Sequence, residues 1–511
     1  VSLSASVAAP HPAALGAARA AHAAGGNAYD LAVAAASALA VAYPHQNSIG
    51  GDLIGLVREP DGTVTALLSA GAAPQRIDVD ALRAAGERMP SGGPDSITVP
   101  GILAGWAALA QRGNLPLSHH LRAAAALAAD GVPVVPGLAA AIVDMRARIE
   151  PDPGLAALFL PGGRPLTTDD VLVQPALART LTTLAAEGPS ALYGGTVGAD
   201  LTYGLRRLGC TLGVDDLSAH AVEWAAPLTT RALGATWHVA PPPSQGATLA
   251  ALVDAIERDG LLTLAAVRAA NASRDALLGD PRRGPIDVAS LTAAIVPSAE
   301  QAAAATAAGA PRPSGDTVGV AAADADGTLV VFLQSVYQHF GAAILEPETG
   351  IVLHNRGSAF SLVPGHPGEL AGGARPPHTL CPAIAELADG TIVAAGAQGG
   401  RAQPQVLAQL APALAEPDSD LDTALARPRW VVGGRDVDRT RETVLAEPGA
   451  IAPRDEAAAA GVAFDQLEAF TGLAGHAQVV RFRSGSLSAA SDPRADGAGL
   501  SLPADQENAA P

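Results

Sequence analysis

The stretch Gly309-Ala310-Pro311-Arg312-Pro313-Ser314-Gly315-Asp316-Thr317-Val318 decides how this chain is read. Residues 299–314 are alanine, glycine and proline with almost no large side chains, which predicts a solvent-exposed linker. Directly after it the period changes. Residues 318–323 and 328–333 read as short strands around Asp324-Ala325-Asp326-Gly327, a strong hairpin signal. Thr317 therefore heads a strand where a small-residue linker ends. Opening the Asp316–Thr317 bond would free an α-amine beside Thr317 Oγ, placing nucleophile and general base in one residue.

A two-residue turn near Asp326-Gly327 sets Thr317 opposite residue 336, give or take one or two positions, so Ser335 comes within hydrogen-bond reach. A second hairpin is expected from residues 383–387 and 391–395 around Ala388-Asp389-Gly390, followed by a short helix over 404–410. Its register would bring Thr379 opposite Gly400. Gly399 and Gly400 lack a Cβ and can turn their N–H groups toward a developing oxyanion. Each feature also has an ordinary explanation. Threonine is common in strands, and Gly-Gly recurs at 25–26, 50–51, 92–93, 162–163, 194–195, 372–373 and 433–434. Asp324-x-Asp326-Gly327 lacks the other ligands of a calcium loop and reads as a turn. The residues alone leave the role of Thr317 open.

Upstream, Gly25-Gly26-Asn27 with Asp30 reads as a helix entry, Asn27 capping and Asp30 near the positive end. The apolar run over 31–43 predicts a helix buried on all faces, stopped by Pro44. The polar loop Pro44-His45-Gln46-Asn47-Ser48-Ile49-Gly50-Gly51-Asp52 follows, placed as loops that line sites are placed. Residues 94–262 read as helical with Pro and Gly breaks, including 117–129, 138–148 and 174–186. Pro241-Pro242-Pro243-Ser244-Gln245-Gly246 then precedes a helix over 247–256. The polar end, 491–511, is expected to fray.

Composition narrows the chemistry. The 511 residues carry a net charge of -18, which opposes binding to nucleic acid or anionic membranes. Lysine is absent, which excludes a P-loop lysine, a kinase lysine and a lysine Schiff base. Cys210 and Cys381 allow neither a disulfide framework nor a four-cysteine zinc site, and read as buried free thiols in a reducing compartment. The longest apolar segment is too short to span a bilayer, and the first twenty residues lack a secretory pattern, so a soluble, cytoplasmic protein is expected.

Taken in order, Gly25-Gly26-Asn27-Ala28, Asn47-Ser48-Ile49-Gly50-Gly51, Val99-Pro100-Gly101, Pro241-Pro242-Pro243-Ser244, Gly315-Asp316-Thr317, Phe340-Gly341, Gly350-Ile351-Val352-Leu353, Gly399-Gly400 and Ser491-Asp492-Pro493-Arg494 resemble the gamma-glutamyltransferase family of N-terminal nucleophile hydrolases. The resemblance covers nearly the whole chain. It implies an α+β, four-layer αββα sandwich made as a precursor that cleaves itself between Asp316 and Thr317. The products would be a large chain, 1–316, ending in the linker, and a small chain, 317–511, which remain associated, as one pair or as a dimer of pairs. By the same resemblance Thr317 is the nucleophile, Ser335 its supporting hydroxyl and Gly399-Gly400 the oxyanion hole. No metal or cofactor is implied.

The departures matter. Where gamma-glutamyl enzymes carry an Arg-Glu-x-Ala-Pro segment, this chain reads Ser69-Ala70-Gly71-Ala72-Ala73-Pro74. Their acidic, glutamine, asparagine and paired-serine positions fall at Ala359, Arg356, Tyr337 and His378-Thr379. The amino-acid clamp is missing, so a gamma-glutamyl donor should bind poorly. Asn47-Ser48-Ile49-Gly50-Gly51-Asp52, Asn355-Arg356-Gly357, Arg375-Pro376-x-His378-Thr379-Leu380 and Gln403-Pro404-Gln405 are similar instead to the oxamate amidohydrolase branch. That implies a small acidic amide or keto-acid substrate. Arg356 would grip its carboxylate, or else serve in a structural ion pair. His378 would donate to the same carboxylate or only brace its loop. Asn47, Asn355, Thr379 and Arg401 complete the candidate substrate contacts. Arg401 and Leu53-Ile54-Gly55 depart from the branch and would change the pocket toward a larger acid. The alternatives are a carbon–carbon hydrolase releasing an oxalyl group in natural-product pathways such as alkylproline synthesis, a glutathione hydrolase or transferase, and an uncleaved silent homologue used for binding.

Overall fold

Alternation along the first hairpin sets the order of layers. In the computed structural model, which describes residues 3–294, 316–434 and 439–504, its strands are Asp316–Asp324 and Leu329–Tyr337. Val318, Val320, Ala322, Val330 and Phe332 point to one side and pack in a core built largely from helices. Ala321, Ala323, Leu329 and Val331 point to the other side, where they meet Ile384, Ile392, Ala394 and Val480 of a second sheet. That sheet turns Ala383, Ala385, Val393 and Ala395 away, onto the helices Gly246–Asp259 and Gln403–Leu414. Period-two side chains that are apolar on both faces can be satisfied only by a sheet covered on both sides. The result is the expected αββα sandwich.

The first sheet runs in the order Ala498–Pro503, Leu3–Ala9, Asp316–Asp324, Leu329–Tyr337, Asp52–Arg58, Val64–Ser69, Glu223–Ala225. The second runs Ser486–Ser491, Ala477–Arg483, Ile392–Ala397, Ala383–Leu387, Ala235–Val239, Leu228–Ala232. Each sheet contains strands from both sides of the Asp316–Thr317 bond.

Register places the threonine. Val318 pairs with Gln334, but Asp316 pairs with Tyr337, so Ser335 and Val336 together oppose Thr317 in a β-bulge. Thr317 shares its face with Gly319, Ala321 and Ala323 and so aims between the two sheets, at their end. A side chain on Gly319 would be tightly packed there, because a Cβ would stand 3.2 Å from the carbonyl oxygen of Gly396 in the facing sheet.

The buried helix is Ala28–Ala42, and Asn27 and Asp30 form a reciprocal capping box at its start. Elsewhere the structure corrects the sequence reading. The helix expected over 138–148 breaks at Met145 into Pro136–Asp144 and Arg146–Ile149. The stretch read as helical also holds the strand Glu223–Ala225 and the hairpin Leu228–Ala232 with Ala235–Val239. Leu233 and Gly234 turn that hairpin at φ 56° and 71°, the two positive values of a type I′ turn. Ala498–Pro503 does not fray, because it pairs with Leu3–Ala9 and supplies the edge of the first sheet. The linker expectation, 299–314, lies outside the described residues. Cys210 and Cys381 are buried and free. No helix among the described residues is long and apolar enough to cross a membrane.

Candidate active site

Thr317 is buried at the rim between the sheets, with its hydroxyl held from two directions. Its Oγ1 lies 3.4 Å from Ser335 Oγ, which itself accepts the Tyr337 N–H at 2.8 Å. From the facing sheet, Gln403 Nε2 donates to Thr317 Oγ1 at 3.2 Å. Gln403 Oε1 accepts the Cys381 N–H at 3.0 Å, which fixes the amide with its nitrogen toward the threonine.

Gln403 opens the helix Gln403–Leu414, and the turn leading into it carries the glycine pair. Gly399 has φ 139° and Gly400 φ 54°, conformations in which a side chain would be strained. The Gly399 carbonyl accepts the Ala402 N–H, while the Gly399 N–H donates to nothing among the described residues. Gly400 begins the 3-10 turn, where an N–H has no partner within the turn. The hairpin ladder expected to set Thr379 against Gly400 pairs Ala383 with Ala395, one residue off the expected register, and goes no further toward Gly400. A side chain joins the two instead: Gln245 Nε2 donates to the carbonyls of Thr379 and Gly400, at 2.7 and 2.9 Å.

Arg356 stands at the head of a 3-10 turn, and its guanidinium is buried. Nη2 donates to Thr379 Oγ1 at 3.0 Å, and the Tyr337 ring covers the planar face at 3.6 Å. Nη1 has no hydrogen-bond partner, and Arg356 makes no ion pair among the described residues. Burial pushes its pKa down to about 10, with Tyr337 and Asp52 opposing the shift. Tyr337 is held at φ 79°, a left-handed conformation that costs a tyrosine energy and that the surrounding bonds sustain.

Beneath this layer lies a buried carboxylate. Asp52 pairs with Ser335 across the sheet and accepts the Gly71 N–H at Oδ1 (2.9 Å). Its Oδ2 is 3.2 Å from His378 Nε2 and 3.5 Å from His354 Nδ1. Burial raises the Asp52 pKa to about 7 against the lowering effect of Gly71 and Arg356. Burial also lowers His354 to about 3 and His378 well below the ordinary range. His378 Nδ1 accepts the Leu380 N–H, so Nε2 carries the hydrogen that Asp52 receives. Its main chain bonds Pro243 and Gln245, which makes His378 a brace for the loop bearing Thr379.

The remaining candidates differ in placement. Asn355 turns its amide to Ser91, Gln338 and the Gln338 N–H, away from solvent. Arg401 is ion-paired with Asp275. Asn47 is fully buried with both amide atoms unpartnered.

Residues 16–502 match the family model described as Gamma-glutamyltranspeptidase. The chain belongs to the gamma-glutamyltranspeptidase family. Among curated relatives, the oxamate amidohydrolase proenzyme of Klebsiella pneumoniae subsp. pneumoniae is 36% identical, over 93% of this chain and 94% of its own length. A glutathione hydrolase-like proenzyme of Bacillus subtilis is 31% identical, over 94% of each. The crystal structure of cephalosporin acylase from Bacillus halodurans superposes with a TM-score of 0.84 at 29% identity, covering 98% of this chain and 96% of that one. This family member is accordingly an enzyme with the N-terminal nucleophile hydrolase fold.

Against the family pattern, reading the sequence missed the groups that act from beside the motifs. Gln403, Gln245, Tyr337, Asp52 and His354 were read only within motifs, as departures from them, or not at all. A polar residue opening a mainly apolar helix, three positions after a glycine pair, is the signal that marks Gln403.

Proposed function

We propose that this family member opens its own Asp316–Thr317 bond and, as paired chains 1–316 and 317–511, hydrolyses an amide adjacent to a carboxylate, as in oxamate. The observation that carries this reading is Arg356: a buried guanidinium with one nitrogen unmatched, steadied by Thr379 and Tyr337. A buried cation without an anion is costly, so an anionic substrate is the group that would satisfy it. The name of the oxamate amidohydrolase relative supports the same substrate class.

Maturation and turnover use one set of atoms. In the intact chain Thr317 Oγ attacks the Asp316 carbonyl carbon; the C–N bond breaks, the nitrogen gains a proton and becomes the α-amine, and water then hydrolyses the ester. In turnover the α-amine takes the proton from Oγ as Oγ bonds the substrate carbonyl. Gly399 and Gly400 N–H groups receive the oxyanion, a role in which one donor is worth about 2.7–4 kcal/mol. The intermediate collapses, the α-ammonium protonates the departing nitrogen, and ammonia leaves. Water then adds to the acyl ester, giving its proton to the amine, and the C–Oγ bond breaks to release the acid.

A gamma-glutamyl substrate fits less well. Ala359 offers no carboxylate, and His378 is bonded to Asp52. A keto acid whose carbon–carbon bond is cleaved would use the same anion grip and is the second reading. Incubation with oxamate, a branched keto acid and a gamma-glutamyl anilide distinguishes them. Ammonia from oxamate or a larger analogue is expected, oxalate from the keto acid would favour the second reading, and turnover of the anilide alone would refute both.

A further inference from the structure

We propose that Gln403 is a catalytic donor to the threonine oxygen itself, stabilising Oγ whenever that atom carries negative charge. The inference rests on Thr317 being the nucleophile. Three observations support it. Gln403 Nε2 lies 3.2 Å from Thr317 Oγ1 and, among the described residues, is the one side chain that donates to that atom from the second sheet. Its orientation is not free, since the Cys381 N–H occupies Oε1 at 3.0 Å and the side chain is fully buried. It also sits in the first turn of an α-helix of twelve residues, Gln403–Leu414, whose N-terminal field favours negative charge.

An amide nitrogen can donate but cannot accept a proton here. Gln403 therefore takes no part in proton transfer. It leaves the Oγ hydrogen free to pass to the base and keeps a hydrogen bond on the lone pair that remains. The effect is largest when the C–Oγ bond breaks, as the ester intermediate of self-cleavage or the acyl enzyme yields to water and the electron pair returns to Oγ. One N–H beside a charged oxygen is worth roughly 10- to 100-fold in rate.

The test uses the full chain as wild type, Gln403→Met and Gln403→Glu, with scission followed by denaturing electrophoresis and turnover by product release between pH 5 and 8. Glutamate keeps an acceptor for Cys381 at every pH, but donates to Thr317 only when protonated. Its scission and turnover, each divided by the wild-type value, should rise about tenfold or more as pH falls from 8 to 5. Methionine, which cannot donate, should slow both and leave acylated small chain visible by intact mass. A glutamate-to-wild-type ratio that stays flat with pH overturns the inference, and so does a folded methionine variant with wild-type rates. Should the wild type itself turn over substrate without scission, the threonine reading fails instead, independently of either variant.

Discussion

A threonine hydroxyl is a weak nucleophile in water, so the role proposed for Thr317 depends on what surrounds it. Ser335 and Gln403 hydrogen-bond Oγ, while the Gly399 N–H has no partner among the described residues. Gly399→Ala tests that turn. Space exists for the methyl group, whose nearest neighbour would be Gln403 N at 3.5 Å, but φ 139° is unfavourable for alanine. The peptide should rotate and kcat should fall by about 100- to 1,000-fold with little loss of folded protein, as steady-state kinetics beside circular dichroism would show. Arg356→Met should raise KM by roughly 30-fold or more, the equivalent of about 2 kcal/mol from a buried charge contact, with self-cleavage unaffected. Loss of self-cleavage in that variant would place Arg356 in the scission chemistry instead.

At the scale of elements, the helix Ala28–Ala42 shows how much local sequence specifies. Its cap, its burial and its end at Pro44 were legible because Asn27, Asp30 and the proline each act within one turn. What was not legible is that Asp30 also accepts the N–H groups of Asn114 and Leu115 and meets His120. Those partners lie about ninety positions away, and no local pattern announces them. Burial alone would raise the Asp30 pKa, but His120 and the N–H donors outweigh it and hold it low. Asp30→Ala should therefore destabilise by about 3 kcal/mol or more, against about 1 kcal/mol for Asn27→Ala, measured by urea unfolding. The same distinction covers the active site. Thr317 and Ser335 share one hairpin, so register brought them together on paper. Gln403 reaches the site from the first turn of a helix and Arg356 from a separate 3-10 turn, and their contacts with Thr317 and Thr379 needed the tertiary fold. The hairpin at Leu233-Gly234 escaped because leucine is an uncommon residue for a positive φ.

For the whole molecule, the interleaving of strands has a direct consequence: the proposed scission at Thr317 would leave both products built into both sheets, so they should copurify until denatured. Acid should be the molecule's weak side. Burial lowers His11, His220 and His476 to about 4 and His354 to about 3, with His45 and His378 also low. Below an unfolded value near 6.5 the unfolded chain binds protons that the native chain refuses, so stability falls as pH drops from about 6.5. Asp52 opposes this. Its native pKa of about 7 lies above the ordinary value, and burial also raises Asp152 and Asp324, so acid favours the fold at these three carboxyls. Six imidazoles outweigh three carboxyls, and Tm should fall by about 10 °C or more between pH 7 and 5 in thermal melts. A flat profile would mean that these rings are hydrated in solution.

The most direct test of the account is denaturing electrophoresis of active protein, followed by N-terminal sequencing of the smaller chain. Two chains are expected, the smaller with a sequence beginning Thr317-Val318-Gly319. A single 50.7 kDa chain that still turns over substrate would contradict it.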